Sequence, residues 1–459
     1  MPIVRSDAAR LIAGAVALVF LAACSGASTP PEASTESSDP TERPGVPGAP
    51  GLSADVESAP VPADLAAQLD ELLRRRAAAV RHGDLPAFRS DLAEDAGLRT
   101  AQEAYFDNLA QLPIETFRYS LYPASLVRSR GSYWAVVEVS LQLEPYDVVP
   151  VRTLDRYRFS PTSDGSRLVL SSVTDAEWEA ANDVREQPWD VQQVRIIEGG
   201  GALGVFDPTS VGAARKLVRS VERGIADVRE RVPYDWSTGA IFYALSDLAF
   251  LETFDNLPGG DTHALDGVAF TVSAGIDEST PTTSPVIAST RFALTPSMVG
   301  QDGAARNRLV RHELVHVAVA DHDDDAPVWL SEGLAEWVSV QALAPQDRRV
   351  SEGAITAAEQ GITRMPGDAS FNDDDAEVHY AIGWWTCEYL AATYGETAPW
   401  VLLDRLADQP ELDDRAVVKS LLGLSVDQLA RRAAKLMLTT YQPEPLELEP
   451  PSDGASTGG

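Results

Sequence analysis

The sequence predicts an α+β protein made of two folded units in series, and three observations carry this. The chain has 459 residues, 44% of them hydrophobic, which is enough length and apolar material for more than one core. Between residues 59 and 190, apolar positions first recur at helical spacing and then alternate as in half-buried strands. Between 191 and 440 the order reverses, with short strand patterns first and helical ones afterwards.

Ahead of both units, residues 1–23 read as a secretory leader. Arg5 and Arg10 precede an apolar run, 11–23, that is too short to cross a bilayer. The run ends in Leu21-Ala22-Ala23-Cys24, followed by Ser25 and Gly26, and this resembles the lipobox of bacterial lipoproteins. The resemblance implies cleavage before Cys24 and a diacylglycerol group on its sulfur. Acyl chains of the palmitate class would then hold the protein on the extracytoplasmic face of the cell membrane. Two or three such chains make a durable anchor, at about 0.8 kcal/mol per buried methylene. Residues 24–58, rich in Pro, Ser, Thr, Gly and Glu, are expected to form a disordered tether, and 441–459 a disordered tail. Cys387 then has no partner and is expected to be a small buried apolar side chain.

In the first unit, Ala66, Leu69, Leu72, Leu73, Ala77 and Val80 predict a helix that stops at the polar break His82-Gly83-Asp84. A second helix is expected around 98–112. Strands follow at 117–126, 133–143, 151–159 and 167–173, broken by Ser-Arg-Gly and Ser-Asp-Gly turns. Helices followed by a curved antiparallel sheet resemble the nuclear-transport-factor-2-like cone, a likeness of pattern without signature residues. The unit carries no constellation of acid, base and nucleophile, so it reads as a spacer or a ligand holder.

The second unit opens with a strand over 191–206, interrupted by Gly199-Gly200-Gly201. That triplet lacks the spacing of a phosphate-cradling loop and reads as a bulge or turn. A long amphipathic helix follows, with Thr209 or Ser210 as its cap and Ala214, Leu217, Val218, Val221, Ile225 and Val228 as its buried stripe. Short strands are expected at 240–245, 267–273 and 286–294, the last as a sheet edge on which an extended peptide could lie. From about residue 302 the pattern is helical, with acidic and Pro-containing loops between helices.

A formal net charge of −32 excludes most nucleic-acid binding, which needs clustered Lys and Arg to displace counterions. It also argues against a basic patch on anionic lipid. Peptides, basic ones included, remain as partners, and the charge keeps a secreted protein soluble.

The decisive segment is Arg311-His312-Glu313-Leu314-Val315-His316. On a helix, residues i and i+4 share a face, so the rings of His312 and His316 can converge on one ion. Neutral imidazole suits Zn²⁺. Glu313 sits about 100° around the helix and can reach a water at the metal without replacing it, as a general base must. A chance match is expected roughly 0.005 times in a chain with six histidines, so coincidence is a poor account of the pattern.

A third ligand is needed, and 327–337 offers one in Trp329-Leu330-Ser331-Glu332-Gly333. This segment resembles the tryptophan-leucine-x-glutamate-glycine helix of the gluzincin metallopeptidases, the group containing thermolysin and the aminopeptidase N-like enzymes. The resemblance implies a gluzincin-like metallopeptidase domain over 191–440, with Glu332 as third zinc ligand. It also implies that Glu336 hydrogen-bonds a ligating histidine and fixes its orientation. Fifteen residues separate Glu332 from His316, fewer than in those two families, and the two glutamates could exchange parts.

Further on, His379-Tyr380-Ala381-Ile382-Gly383 resembles the tyrosine and glycine of aminopeptidase N-like gluzincins. There the tyrosine donates to the oxyanion of the tetrahedral intermediate. Tyr380 is the residue in that position, and His379 is the alternative donor. The segment by which aminopeptidase N-like enzymes grip a substrate amino terminus is missing before His312, so amino-terminal exopeptidase activity has no support. Acidic loops at Asp321-His322-Asp323-Asp324-Asp325 and Asp373-Asp374-Asp375 lack the pattern of a calcium loop and read as solvated.

The expected function is thus a membrane-anchored zinc metallopeptidase that hydrolyses peptide or protein substrates, Glu313 serving as base. The alternatives are a ligand-binding or assembly lipoprotein with a structural zinc, and a hydrolase of cell-wall peptide. The sequence leaves the oligomeric state open.

Overall fold

The computed structural model describes residues 62, 64–182, 184–236, 239–254, 266–275, 286–301, 303–323 and 326–441. Cys24, the leader, the tether and the tail all lie outside them. No helix among the described residues is long and apolar enough to cross a membrane.

The first unit begins with α1 (Leu65–His82), whose expected stripe is buried except at Ala66, which is half-buried at the helix start. Gly83 ends it in the left-handed conformation, φ 67°, with its N–H donating to the carbonyls of Ala79 and Val80. α2 (Leu85–Ser90) and α3 (Ala96–Leu109) follow, capped by Asp84 and Asp95, which accept from the N–H groups of Ala87 and Leu98. Periodicity does not reveal α2, because six residues hold less than two turns.

Next comes an antiparallel sheet of β1 (Ile114–Leu121), β2 (Val127–Ser129), β3 (Ser132–Leu143), β4 (Val151–Pro161) and β5 (Leu168–Ser172). Its order is β1-β3-β4-β5, with β2 paired to the first residues of β3. The strand expected over 117–126 is cut short, because a 3₁₀ turn at Pro123–Ser125 separates β1 from β2. Phe117, Tyr119, Ala135, Val137 and Tyr157 share a core with the buried residues of α1. α4 (Ala176–Ala181) and α5 (Pro188–Val191) lead out of the unit, so the strand expected from 191 starts later.

The second sheet contains β6 (Arg195–Gly199), β7 (Ala202–Phe206), β8 (Ala240–Ala244), β9 (Gly267–Ser273) and β10 (Ile287–Leu294). The glycine triplet is its first turn. Gly200 and Gly201 sit at φ 51° and 87°, as a two-residue hairpin between β6 and β7 requires. α6 (Ala214–Arg229) carries the chain from β7 to the parallel strand β8. Neither Thr209 nor Ser210 caps it. Asp207 accepts from both their N–H groups, and a 3₁₀ turn at Val211–Ala213 feeds the helix.

The sheet order is β6-β7-β8-β10-β9. β10 lies between β8 and β9, so the strand expected as a peptide-receiving edge is interior, and among the described residues β9 is the edge on that side, β6 the edge on the other. Both faces of this sheet are covered. Phe206, Phe242, Ala269 and Phe292 belong to the core shared with the helices, whereas Leu203, Val205, Ile241, Tyr243, Val268 and Phe270 join the core of the first unit.

The remaining chain is helical: α7 (Pro296–Gly300), α8 (Gly303–Val319), α9 (Val328–Gln341), α10 (Glu352–Gln360), α11 (Ala376–Tyr394), α12 (Ala398–Ala407), α13 (Asp414–Leu422) and α14 (Val426–Tyr441). Two close crossings position the site. α6 approaches α8 at Gly224, where a Cβ would stand 2.7 Å from Leu314. α9 crosses α11 glycine on glycine. A Cβ on Gly333 would stand 2.5 Å from the Gly383 carbonyl oxygen, and one on Gly383 would stand 2.8 Å from that of Trp329. Cys387, on α11, is fully buried, as its lack of a partner led one to expect.

Candidate metal centre

α8 and α9 lie side by side and are buried for most of their length. His312 and His316 project from successive turns of α8, with ring centroids 4.9 Å apart and Nε2 atoms 3.2 Å apart. Glu332, on the second turn of α9, brings Oε2 to 3.2 Å from His312 Nε2 and 3.5 Å from His316 Nε2. One ligand atom from each of the three therefore falls within 4.8 Å of the other two, in the one such cluster among the described residues.

The donor set fits a zinc ion. Two nitrogens and one carboxylate oxygen are the ligands of a site that keeps one position open. Glu332 is fully buried, yet neither of its oxygens accepts a hydrogen bond of ordinary geometry. A carboxylate withdrawn from water, with only two imidazole nitrogens facing it, calls for positive charge, and a divalent ion between it and the rings would supply that charge.

Electrostatics divide the three glutamates. Burial raises Glu332, but the imidazoles of His316 and His312 more than offset this and hold it below the usual carboxylate range. For Glu336 the same opposition, with Arg308 and His312 as the lowering partners, leaves it at about 2. Glu313 behaves differently. Burial pushes it up to about 7, assisted by Glu332, while His312, His316 and the Ala269 backbone pull it down. Neither oxygen of Glu313 is hydrogen-bonded by another side chain. His312 is pushed up to about 10, because the contacts with Glu332 and Glu336 overcome the lowering effect of burial.

Glu336 lies one turn beyond Glu332 on α9 and accepts from His312 Nδ1–H at 3.0 Å. This fixes the tautomer and turns the Nε2 lone pair toward the point where the three ligand atoms meet. Glu332 faces both Nε2 atoms, and Glu336 stands behind the first ring.

Tyr380, on the first turns of α11, is buried with its ring 6.3 Å from that of His312, and its hydroxyl donates to Asn372 Oδ1 at 3.2 Å. His379 sits beside it, with Nδ1–H donating to the Phe371 carbonyl at 2.9 Å and lying 3.6 Å from Asp373. Gly383 meets α9 at the helix crossing, which is reason enough for a residue without a side chain. In the acidic loop between the metal helices, Asp323 is not simply solvated. It is buried and accepts from Ser331 Oγ at 2.7 Å, while His322 stacks on Tyr234 at 3.8 Å.

Two features escaped the sequence reading. Arg308, one turn before His312, ion-pairs with Glu336, and its offset of four residues on the same helix was the available signal. The start of β9 passes beside Glu313, close enough that a Cβ on Gly267 would stand 2.9 Å from its Oε1. Strand-to-helix packing of this kind has no local signature.

No family model matches the chain, and no curated protein does. Among solved structures, native yeast LTA4 hydrolase is similar at 10% sequence identity and a TM-score of 0.33. The match covers 70% of this chain and 66% of that one. So faint a likeness bears no weight for fold or chemistry, which rest on the geometry of the site.

Proposed function

We propose that this chain is a gluzincin-like zinc metallopeptidase, held on the extracytoplasmic face of a membrane by lipid on Cys24. The observation that supports it most is the meeting of three buried ligand atoms from His312, His316 and Glu332, with the buried carboxyl of Glu313 in the next position along the same helix. A site that only held a structural ion would need no such carboxyl. The pattern of the first unit, helices before an antiparallel sheet, supports a cone of the nuclear-transport-factor-2 kind as its role in the architecture.

His312, His316 and Glu332 would hold the zinc ion, which would supply Lewis acidity toward a scissile carbonyl and an attacking water. Glu313 takes the proton from the attacking water and passes it to the leaving amine. Glu336 keeps His312 in its ligating tautomer. Tyr380 is the oxyanion donor, exchanging Asn372 for the substrate oxygen, with His379 as the alternative. An extended peptide fits as an added strand on β9, whose Gly267 and Ala269 adjoin Glu313.

The test is zinc content and peptide hydrolysis of residues 59–459, measured beside Glu313→Gln. Both proteins should hold zinc, and the variant should lose roughly 10²- to 10⁴-fold in turnover. Equal turnover in the two would defeat the mechanism.

A further inference from the structure

Arg308 stands at the junction of the three helices that carry the site. It projects from α8 one turn before His312 and forms an ion pair with Glu336 Oε2 on α9. Its guanidinium also lies over the ring of Trp384 on α11, 5.4 Å from the centroid. The other oxygen of Glu336 accepts from His312 Nδ1–H. Both members of the ion pair are largely withdrawn from water, with 16% of the Arg308 side chain and 5% of the Glu336 side chain exposed. At such a place a single charge without its partner is costly, and the pair is held in one geometry.

We infer that Arg308 is a positioning residue of the metal centre, which aligns His312 by clamping Glu336 between a guanidinium and an imidazole. The physical reason is division of labour between the two oxygens. A carboxylate with one oxygen pinned by Arg308 cannot rotate, so the second oxygen meets the ring at a fixed angle. The ring in turn presents Nε2 where Glu332 and His316 also point. The planar face of Trp384 keeps the guanidinium from swinging away, and thereby ties α11 to the same alignment.

This inference rests on the metal-centre reading above. The experiment measures zinc affinity of the full-length chain by competition with a chromogenic chelator, for the parent, Arg308→Met, Arg308→Lys, Glu336→Gln and the Arg308→Met/Glu336→Gln pair. Melting of the metal-free proteins runs alongside as the control for folding. Arg308→Met should weaken zinc binding about 10- to 100-fold, the range for loss of a partner behind a ligand. The double variant should bind no more weakly than the poorer single one, and Lys should recover part of the loss. Cobalt-loaded Arg308→Met should show altered visible bands, which a merely structural change elsewhere would leave alone. Arg308→Gln carries the same comparison should Arg308→Met fail to fold. Parent-like affinity in a folded Met or Gln variant, or losses that multiply in the double variant, would overturn the clamp. A parent that binds no zinc would instead overturn the metal centre itself, and the two failures are distinct.

Discussion

Burial gives the carboxyl groups of this chain opposite fates, and the partner decides which. Glu336 meets an arginine and an imidazole and is held at about 2, whereas Glu313 meets neither across a hydrogen bond and rises to about 7. Asp155, on β4 and away from the metal centre, rises further, to about 8. Burial is the main cause, the Arg156 N–H opposes it, and Glu179, Glu186 and Asp190 add to it. Its folded pKa lies above its ordinary value of 3.8, so the folded chain keeps a proton that the unfolded chain has released. Stability from this group is complete below about pH 4 and is lost as pH rises through about 8. Asp155→Asn should therefore flatten the fall of melting temperature between pH 5 and pH 8 and raise the melting point by a few degrees at the alkaline end. An unchanged slope would show that the carboxyl is not held neutral. At this scale the sequence was legible where spacing encodes chemistry. His312, Glu313 and His316 follow from one helical turn, whereas the four-residue offset of Arg308 places it on the face of His312 without naming its partner, since Glu336 comes from another helix.

Helices α9 and α11 approach so closely that each needs a glycine facing the other. This gives Gly383 a mechanical task beside Tyr380 and places Glu332 one residue from the point of contact. A methyl group at either glycine meets backbone, which cannot rotate away as a side chain could. Gly383→Ala should cost about 1–3 kcal/mol in unfolding free energy and weaken zinc binding together with it, because separating the helices moves Glu332. Stability lost with zinc affinity untouched would show that the crossing is not what sets the ligand distance. Element types were read well from alternation and helical stripes, and the strand at 267–273 was bounded to the residue. Neighbour order was not. Nothing in the composition of 286–294 distinguishes an interior strand from an edge, since pairing partners are chosen across the chain and not along it.

Across the whole molecule, a buried ion pair joins the two sheets. Arg291 on β10 meets Asp147, from the loop after β3, at 2.8 Å, and also donates to the Tyr243 hydroxyl at 2.9 Å. Asp147→Asn leaves the guanidinium without its counter-charge and should destabilise the fold by about 3–5 kcal/mol, read by chemical denaturation. A loss under about 1 kcal/mol would mean that water reaches the arginine. The lipid anchor is also a claim about the whole molecule. Cys24→Ser should shift the protein from the membrane fraction to the soluble one, and retention in the membrane would exclude the attachment. The presence of two sheets was legible from the order of elements. Their common core was not, because an uninterrupted apolar strand such as β7 reads the same whichever layers cover it.

The second sheet has no side that belongs to water. A shortened chain beginning near residue 191 would bare Leu203, Val205, Ile241, Tyr243, Val268 and Phe270 in one patch, two of them aromatic. Such a fragment would recruit any apolar surface at hand, itself included, before it could fold around a metal. Whatever the amino-terminal half binds or spans, it is thus the inner lining of the wall on whose other side the histidines sit, and neither half can be inherited without the other.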